Sequence, residues 1–151
     1  MLSTVAHVGL TVSNMDRSIA FYKDVLGLAF QREILMNGPE TAALFHRDVC
    51  SARVAYLKGT TAVQSPPIEL IQFLDQPIQS QKADLFKTSI SEVCFSTNDI
   101  DGDYKRLKKA GVQFLSEPQT FDSTQYGFGK SRAVYFRDPD GIILELIQPV
   151  E

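Results

Sequence analysis

Tryptophan is absent from this chain, and cysteine and histidine occur only twice each. Cys50 and Cys94 form no CxxC pair, so neither a disulfide framework nor a cysteine-based zinc site is indicated. Two free thiols are typical of a reducing compartment, and we therefore expect a cytoplasmic protein. Long hydrophobic runs are also missing, whereas a membrane helix needs roughly 20 consecutive apolar residues. A membrane is therefore not an expected partner.

A strong excess of either charge is absent as well. The chain carries 15 basic and 18 acidic residues, with a net charge of −3, and the two signs are interspersed. Nucleic acids require a basic surface, so they are not expected partners either. The N-terminal MLSTVAHVGLTV lacks the basic region and cleavage site of a signal peptide. A length of 151 residues suits one domain that can bury a hydrophobic core.

What the chain does contain is an internal repeat. Segments in the first half have counterparts in the second, at offsets that drift slowly, as they do when two copies differ in loop length. The pairs are HVGLTVSNMDRS (7–18) with EVCFSTNDIDGD (92–103), RVAYL (53–57) with RAVYF (132–136), and IELIQ (68–72) with LELIQ (144–148). This similarity predicts two tandem copies of one supersecondary unit.

Each copy is predicted to fold as β-α-β-β-β, which makes the chain an α+β protein. Apolar alternation predicts the first strand of each copy. Helical spacing then predicts helices that begin at Asn14 and Asp99 and stop at Gly27 and Gly111. Three further strands are predicted in each copy, over 28–34, 51–59 and 68–74 and over 112–117, 131–138 and 141–148.

We predict a single domain over 1–151, with module one at 4–74 and module two at 90–150. The polar segment 75–89 is predicted to be the linker between them. Two long irregular loops, 36–50 and 118–131, fall at equivalent places in the two modules. Long loops inside a compact domain often bind ligands or cover a site.

Each module also places charges in strands that are otherwise apolar. Strand parity puts Glu69 and Glu145 opposite their Ile and Leu neighbours, and the repeat puts His7 and Glu92 at equivalent positions in the first strands. These four residues converge if the sheets curve around a common cavity. Carboxylates cannot be buried without a compensating cation, and no Lys or Arg lies on the same strands. A divalent metal held by the four residues is therefore the predicted explanation.

The alternative is that these glutamates are simply hydrated. One face of an antiparallel sheet is often exposed, and a glutamate there needs no partner. His7 on its own is typical of a hydrogen-bonded structural histidine. The spacing is not a metal signature in itself, so the metal hypothesis depends on the repetition of the pattern.

The chain resembles the vicinal oxygen chelate superfamily, which includes glyoxalases, bleomycin-resistance proteins and extradiol dioxygenases. The resemblance covers most of the chain, and its most specific part is the last of the four segments that carry it. These segments are HVGLTVSNMDRSIAFYKDVLGL (7–28), IELIQF (68–73), FSTNDIDGDYKRLKKAGV (95–112) and YFRDPDGIILELIQP (135–149). It implies two βαβββ modules that form a curved mixed sheet around a central, metal-centred cavity, commonly in a homodimer.

The resemblance also implies that the metal ligands fall on His7, Glu69, Glu92 and Glu145. The third position is usually histidine in the superfamily, and Glu92 departs from that pattern. The two histidines and one carboxylate of an extradiol dioxygenase are therefore incomplete, which makes ring-cleaving oxygenation less favoured. Bleomycin-type binding proteins have generally lost their ligands, and four candidate ligands argue against that class.

The resemblance favours a lyase or isomerase of the glyoxalase type, acting on a small carbonyl substrate through an enediolate bound to Mn²⁺, Ni²⁺, Zn²⁺, Fe²⁺ or Mg²⁺. Glu145 is the first candidate for the general base and Glu69 the second. Glu92 is either a third carboxylate ligand or a free base. The alternatives are a non-haem metal dioxygenase and a metal-free protein that binds a small molecule such as an antibiotic.

The loop YGFGKSR supplies the candidates for substrate contact. Lys130 and Arg132 are candidates for binding an anionic substrate, and a solvated loop is the alternative. Tyr126 and Phe128 are candidates for capping the cavity, or for packing the loop.

Three other residues accompany the predicted ligands. Tyr56 and Tyr135 occupy equivalent places in the repeat and are predicted to be core or cavity wall. Cys94 shares a strand face with Glu92 and is predicted to be a small buried filler rather than a nucleophile.

Overall fold

A computed structural model describes residues 4–60, 66–79 and 81–150 of the chain. The chain divides into two compact units, Met1–Ser80 and Gln81–Glu151, and this boundary lies inside the segment predicted to be the linker. Each unit holds one mixed sheet and few helices, which confirms the α+β prediction. In the described part of the chain, every helix is too short or too polar to cross a membrane.

The first unit contains a sheet of four strands in the order β1-β4-β3-β2. The outer strand β1 runs parallel to β4, and the other neighbours are antiparallel. The strands are β1 (Val8–Thr11), β2 (Ala29–Met36), β3 (Ala52–Lys58) and β4 (Ile68–Phe73).

The second unit repeats this order, with five strands arranged as β5-β9-β8-β6 and β7 pairing with β8. Here β5 runs parallel to β9, as β1 does to β4. The strands are β5 (Val93–Ser96), β6 (Gln113–Phe114), β7 (Gln119–Asp122), β8 (Lys130–Arg137) and β9 (Ile143–Val150).

The two loops predicted to be irregular contain regular structure. Helix α2 (Pro39–Leu44) lies in the first loop, and β7 and a 3₁₀ turn (Thr124–Tyr126) lie in the second. Proline at the first helical position favours the start of α2. The prediction of an irregular loop did not take this local signal into account. Strand β7 exists because it pairs with β8, and such pairing is not visible in a short segment of sequence.

The predicted helices cover the sheets. Helix α1 (Met15–Ala20) continues as a π-helical segment (Phe21–Val25), and α3 (Ile100–Lys109) is its counterpart in the second unit. Helix α1 packs against β3 and β4, whereas α3 packs against β9. Gly27 and Gly111 adopt φ values of +85° and +86°, the left-handed conformation that lets glycine end a helix.

The glutamine of each ELIQ segment connects strand to helix. Gln72 Oε1 accepts a hydrogen bond from the Met15 N–H at 2.9 Å, and its Nε2 donates to the Ser13 carbonyl at 3.2 Å. Gln148 does the same in the second unit, with Ile100 N–H at 3.0 Å and the Asn98 carbonyl at 2.9 Å. The first turn of a helix has N–H groups without intrahelical partners, so each glutamine satisfies one of them.

We expect Gln72→Met to destabilise the protein by about 1–3 kcal/mol, because it leaves the Met15 N–H at a part-buried position without its acceptor. The size and apolar stem of the side chain are preserved, so lost packing contributes little. Chemical denaturation measures the change, and Gln113→Met, at an exposed position, is the control. Equal stabilities for the two variants would contradict the role assigned to Gln72.

Candidate metal and catalytic site

Glu69 is the most buried of the four predicted ligands. It lies in the middle of β4, and only 8% of its surface is exposed. His7 immediately precedes β1, its side chain is 45% exposed, and its Nε2 lies 3.5 Å from Oε2 of Glu69. The structure therefore brings together the two ligands predicted in the first unit, with an imidazole nitrogen facing a carboxylate.

Tyr56 completes this cluster. It stands on β3 directly opposite Glu69 in the strand register. Its ring meets the His7 ring edge-on, with centroids 6.1 Å apart. Hydrogen bonding to Glu69, partial burial and the charge of Glu69 together raise the pKa of Tyr56 to about 12. The phenol therefore stays protonated at neutral pH, and its hydroxyl can donate a hydrogen bond.

In the second unit, Glu145 lies on β9 between two neighbours. Cys94 of β5 is its partner on the parallel side, and Tyr135 of β8 is its partner on the antiparallel side. Partial burial of the thiol, hydrogen bonding to Glu145 and the charges of Glu145 and Glu92 raise the pKa of Cys94 to about 12. The thiol is thus kept protonated.

The prediction that Cys94 is a buried filler is wrong, because its side chain is exposed. Strand β5 is the outer strand of its sheet, so its residues have a neighbouring strand on one side only.

The strand registers confirm that the repeated segments are equivalent. Gly9 pairs with Glu69 across β1 and β4, and Cys94 pairs with Glu145 across β5 and β9. His7 lies two residues before Gly9, and Glu92 lies two residues before Cys94. The period of two along a strand assigns each pair to the same face. Glu92 lies just before β5, and its charge acts on both Cys94 and Tyr135.

Each unit thus offers two of the four predicted donors. Within residues 4–60, 66–79 and 81–150, no three His, Cys, Asp or Glu side chains are grouped closely enough to hold a metal ion. His7 and Glu69 form a donor pair with 3.5 Å between nitrogen and oxygen, and a pair alone is fewer than the three or four protein ligands of a typical catalytic metal site.

Arg132 makes a contact that the loop motif did not indicate. Both of its terminal nitrogens bond Asp101 of α3, at 2.5 and 2.9 Å. Arg53 makes the equivalent contact with Asp16 of α1 at 2.7 Å in the first unit. The pair thus joins helix to sheet in both units, and the signal for it was the Arg and Asp shared by the repeated segments.

The other loop candidates remain on the surface. Lys130 lies 3.6 Å from Asp122, so its charge is partly balanced by a neighbour on β7. Tyr126 and Phe128 are exposed, next to Gly127 and Gly129 in the left-handed conformation. These side chains are available to solvent and to a ligand.

Two mixed sheets of the same strand order, each with a glutamate on its parallel strand pair, define a protein built from a duplicated β-α-β-β-β unit. Residues 4–146 match the profile of the Glyoxalase/Bleomycin resistance protein/Dioxygenase superfamily. The chain belongs to this superfamily.

Several relatives match almost the whole chain. The metallothiol transferase FosB of Shouchella clausii is 30% identical over 97% of this chain and 80% of its own length. The 2-epi-5-epi-valiolone epimerase of an Actinomyces species is 25% identical over 95% of this chain and 78% of its own. Among solved structures, a glyoxalase family protein from Bacillus cereus superposes with a TM-score of 0.84, covers 100% of this chain and 97% of its own, and is 23% identical.

Proposed function

We propose that this protein is a metal-dependent lyase or isomerase that removes a proton from a carbon next to the carbonyl group of a small substrate. The proposed metal ligands are His7, Glu69, Glu92 and Glu145. The observation that carries the proposal is Glu69, a carboxylate only 8% exposed with a histidine nitrogen 3.5 Å away. Burial of an ionised carboxylate is costly without a compensating cation, and a bound metal supplies that charge.

The donor atoms suit a divalent ion. One imidazole nitrogen and three carboxylates are compatible with Mn²⁺, Ni²⁺, Zn²⁺, Fe²⁺ or Mg²⁺. Superfamily members typically use a divalent metal, and one relative of this chain is named a metallothiol transferase. Three carboxylates also donate more negative charge than the usual set, which weakens the Lewis acidity of the ion. The proposed reaction is therefore one with a moderately acidic carbon–hydrogen bond.

A divalent metal in this site supplies Lewis acidity, which stabilises negative charge developing on a substrate oxygen. Glu145 is the proposed general base, since it is less buried than Glu69 and so more accessible to a substrate. Glu69 is the second candidate, and only 8% of its surface is exposed. Glu92 acts as a third carboxylate ligand or as a free base.

We further propose that the protein works as a cytoplasmic homodimer. Superfamily members are commonly dimeric and bind small molecules. Strands β1, β2 and β5 are outer strands of their sheets, and an outer strand is a surface that a second copy can pair with. Light scattering tests this against twice the chain mass of 16.8 kDa.

We expect Glu69→Gln to weaken divalent metal binding by more than about 100-fold, since loss of a charged ligand exceeds the 10–100-fold effect of an outer-shell partner. Calorimetric titration of the metal-free protein with Mn²⁺ and Ni²⁺ measures the affinity. Glu40→Gln, at an exposed position on α2, removes the same charge and is the control. Equal affinity in the two variants would exclude Glu69 as a ligand.

The reaction is tested by incubating the metal-loaded protein with 2-hydroxycarbonyl compounds, hemithioacetals and thioesters in D₂O. Exchange of the proton next to the carbonyl, followed by NMR, supports the proposal. Oxygen uptake without exchange would indicate the dioxygenase alternative, and consumption of a thiol without exchange would indicate thiol transfer. Ligand binding by a protein that takes up no metal would indicate the binding-protein alternative.

A further inference from the structure

A cavity of about 370 Å³ lies in the second unit, at the end of the sheet where β8 leads into β9. Leu115, Arg137 and Ile143 line it from the sheet, and the segment 82–87 lines the rest. Ile143 is 1% exposed and Phe86 is 97% exposed, so the lining extends from the core of the unit to its surface. Pockets for small molecules typically measure roughly 300–1,000 Å³, and this cavity falls within that range.

Hydrogen bonds hold the segment that covers the cavity. Arg137 Nη1 donates to the Ala83 carbonyl at 3.1 Å and to the Gly141 carbonyl at 2.7 Å, so it ties the segment to the turn between β8 and β9. Within the segment, the Asp84 carboxylate accepts a hydrogen bond from the Phe86 N–H at 3.0 Å. The cavity wall is therefore fixed both to the sheet and by its own turn.

The lining of this cavity has an excess of positive charge. Lys82, Lys87 and Arg137 contribute three cations, and Asp84 is the one carboxylate among the lining residues that the structure describes. Asp84 lies 3.7 Å from Lys87 and balances one of these charges. In the described part of the chain, the hydrogen bonds of Arg137 use Nη1, so the N–H groups of Nε and Nη2 can donate to a ligand.

Apolar side chains complete the lining. Leu85, Leu115 and Ile143 offer hydrocarbon surface next to the cations. A ligand that complements both features has an apolar body and one anionic head group, and a carboxylate matches the planar donors of a guanidinium. We infer that this cavity binds a small organic carboxylate, with its head group near Arg137 and the two lysines and its apolar body against the leucines and Ile143.

This site is separate from the candidate metal site. Glu145 lies two residues further along β9 than Ile143 and does not line the cavity. The inference therefore goes beyond the proposed reaction, and it is tested on metal-free protein, because a bound metal would coordinate carboxylates by itself.

Octanoate is a suitable test ligand, since it joins a carboxylate to a flexible hydrocarbon chain. Titration of isotope-labelled, metal-free protein is expected to shift the N–H resonances of residues 82–87, Leu115 and Ile143 until they saturate. In the series butyrate, hexanoate and octanoate, affinity is expected to rise by up to about fourfold for each methylene group, the effect of burying one from water.

A double variant tests the role of the cations. Lys82→Gln combined with Lys87→Gln removes two charges from exposed positions at the cavity, and octanoate affinity is expected to fall by about three- to tenfold. Lys105→Gln combined with Lys109→Gln removes two charges from exposed positions on α3 and is the control, with an expected change of less than about twofold. The NMR spectrum of each variant also shows whether it is folded.

Three results would overturn the inference. The first is a set of unchanged resonances for 82–87 and Ile143 at millimolar octanoate. The second is octanol binding as tightly as octanoate, or equal losses in the two double variants, since either would show that the cations of the cavity take no part. The third is inorganic phosphate producing the same shifts as octanoate, which would indicate a general anion site without a place for an apolar body.

Discussion

Glutamine in place of Glu145 is expected to slow proton removal from the substrate by about 10²–10⁴-fold, the usual contribution of a positioned general base. An amide has nearly the same shape as a carboxylate, but it cannot accept a proton at neutral pH. Metal affinity is expected to fall less than in Glu69→Gln, because Glu145 is less buried and the loss of a charge costs less where water screens it. Deuterium exchange into the substrate measures the rate of proton removal, and calorimetric titration measures the metal affinity.

Glu117→Gln, at an exposed position in the same unit, controls for the loss of one negative charge. A Glu145→Gln variant with an unchanged exchange rate would exclude Glu145 as the base and leave Glu69 and Glu92 as candidates. A variant that loses both metal and activity would make Glu145 primarily a ligand. Comparing the loss of metal affinity with the loss of exchange rate therefore decides whether Glu145 acts mainly as a ligand or as a base.

Alanine in place of Phe136 is expected to destabilise the protein by about 3–5 kcal/mol, as is typical when a buried phenylalanine is truncated. Phe136 lies on β8 with 0% of its surface exposed. The centroid of its ring lies 5.5 Å from that of the Phe114 ring. The Phe114 centroid in turn lies 4.6 Å from that of the Tyr104 ring on α3. The truncation leaves a cavity next to this aromatic row, and its walls lose dispersion contacts that water does not replace.

Phe86→Ala is the matched control, since Phe86 is 97% exposed and its removal leaves no cavity. Its effect is expected to stay within about 0.5 kcal/mol, as for most surface substitutions. Urea denaturation measures both variants, with a shift of the midpoint at constant slope as the sign of a simple loss of stability. Similar midpoints for the two variants would show that Phe136 packs less closely than its contacts indicate.

The internal repeat is visible in the sequence alone. The apolar alternation, the capped helices with terminal glycines and the matched ELIQ segments were enough to predict two β-α-β units. They also predicted that Gly9 and Cys94, and with them His7 and Glu92, are equivalent, because side-chain direction along a strand has a period of two. Local patterns report local geometry well, so these features did not depend on tertiary structure.

The tertiary structure decided what each repeated side chain contacts. Gln72 looked like part of a strand pattern, yet it caps a helix that begins 57 residues earlier in the chain. Arg132 looked like a loop cation, yet it bonds a helix 31 residues away. Contacts between residues far apart in sequence depend on how sheet and helix come together, and strand periodicity carries no information on that.

The same limit applies to the candidate site. The sequence indicated four ionisable residues and their strand faces, but it could not show that Tyr56 stands opposite Glu69 or that Cys94 stands opposite Glu145. Those pairings depend on which strands are neighbours and on which registers they take. The sequence by itself therefore determined the duplicated architecture and the residue types of the candidate site, whereas strand pairing in the folded protein decided which residues stand beside each carboxylate.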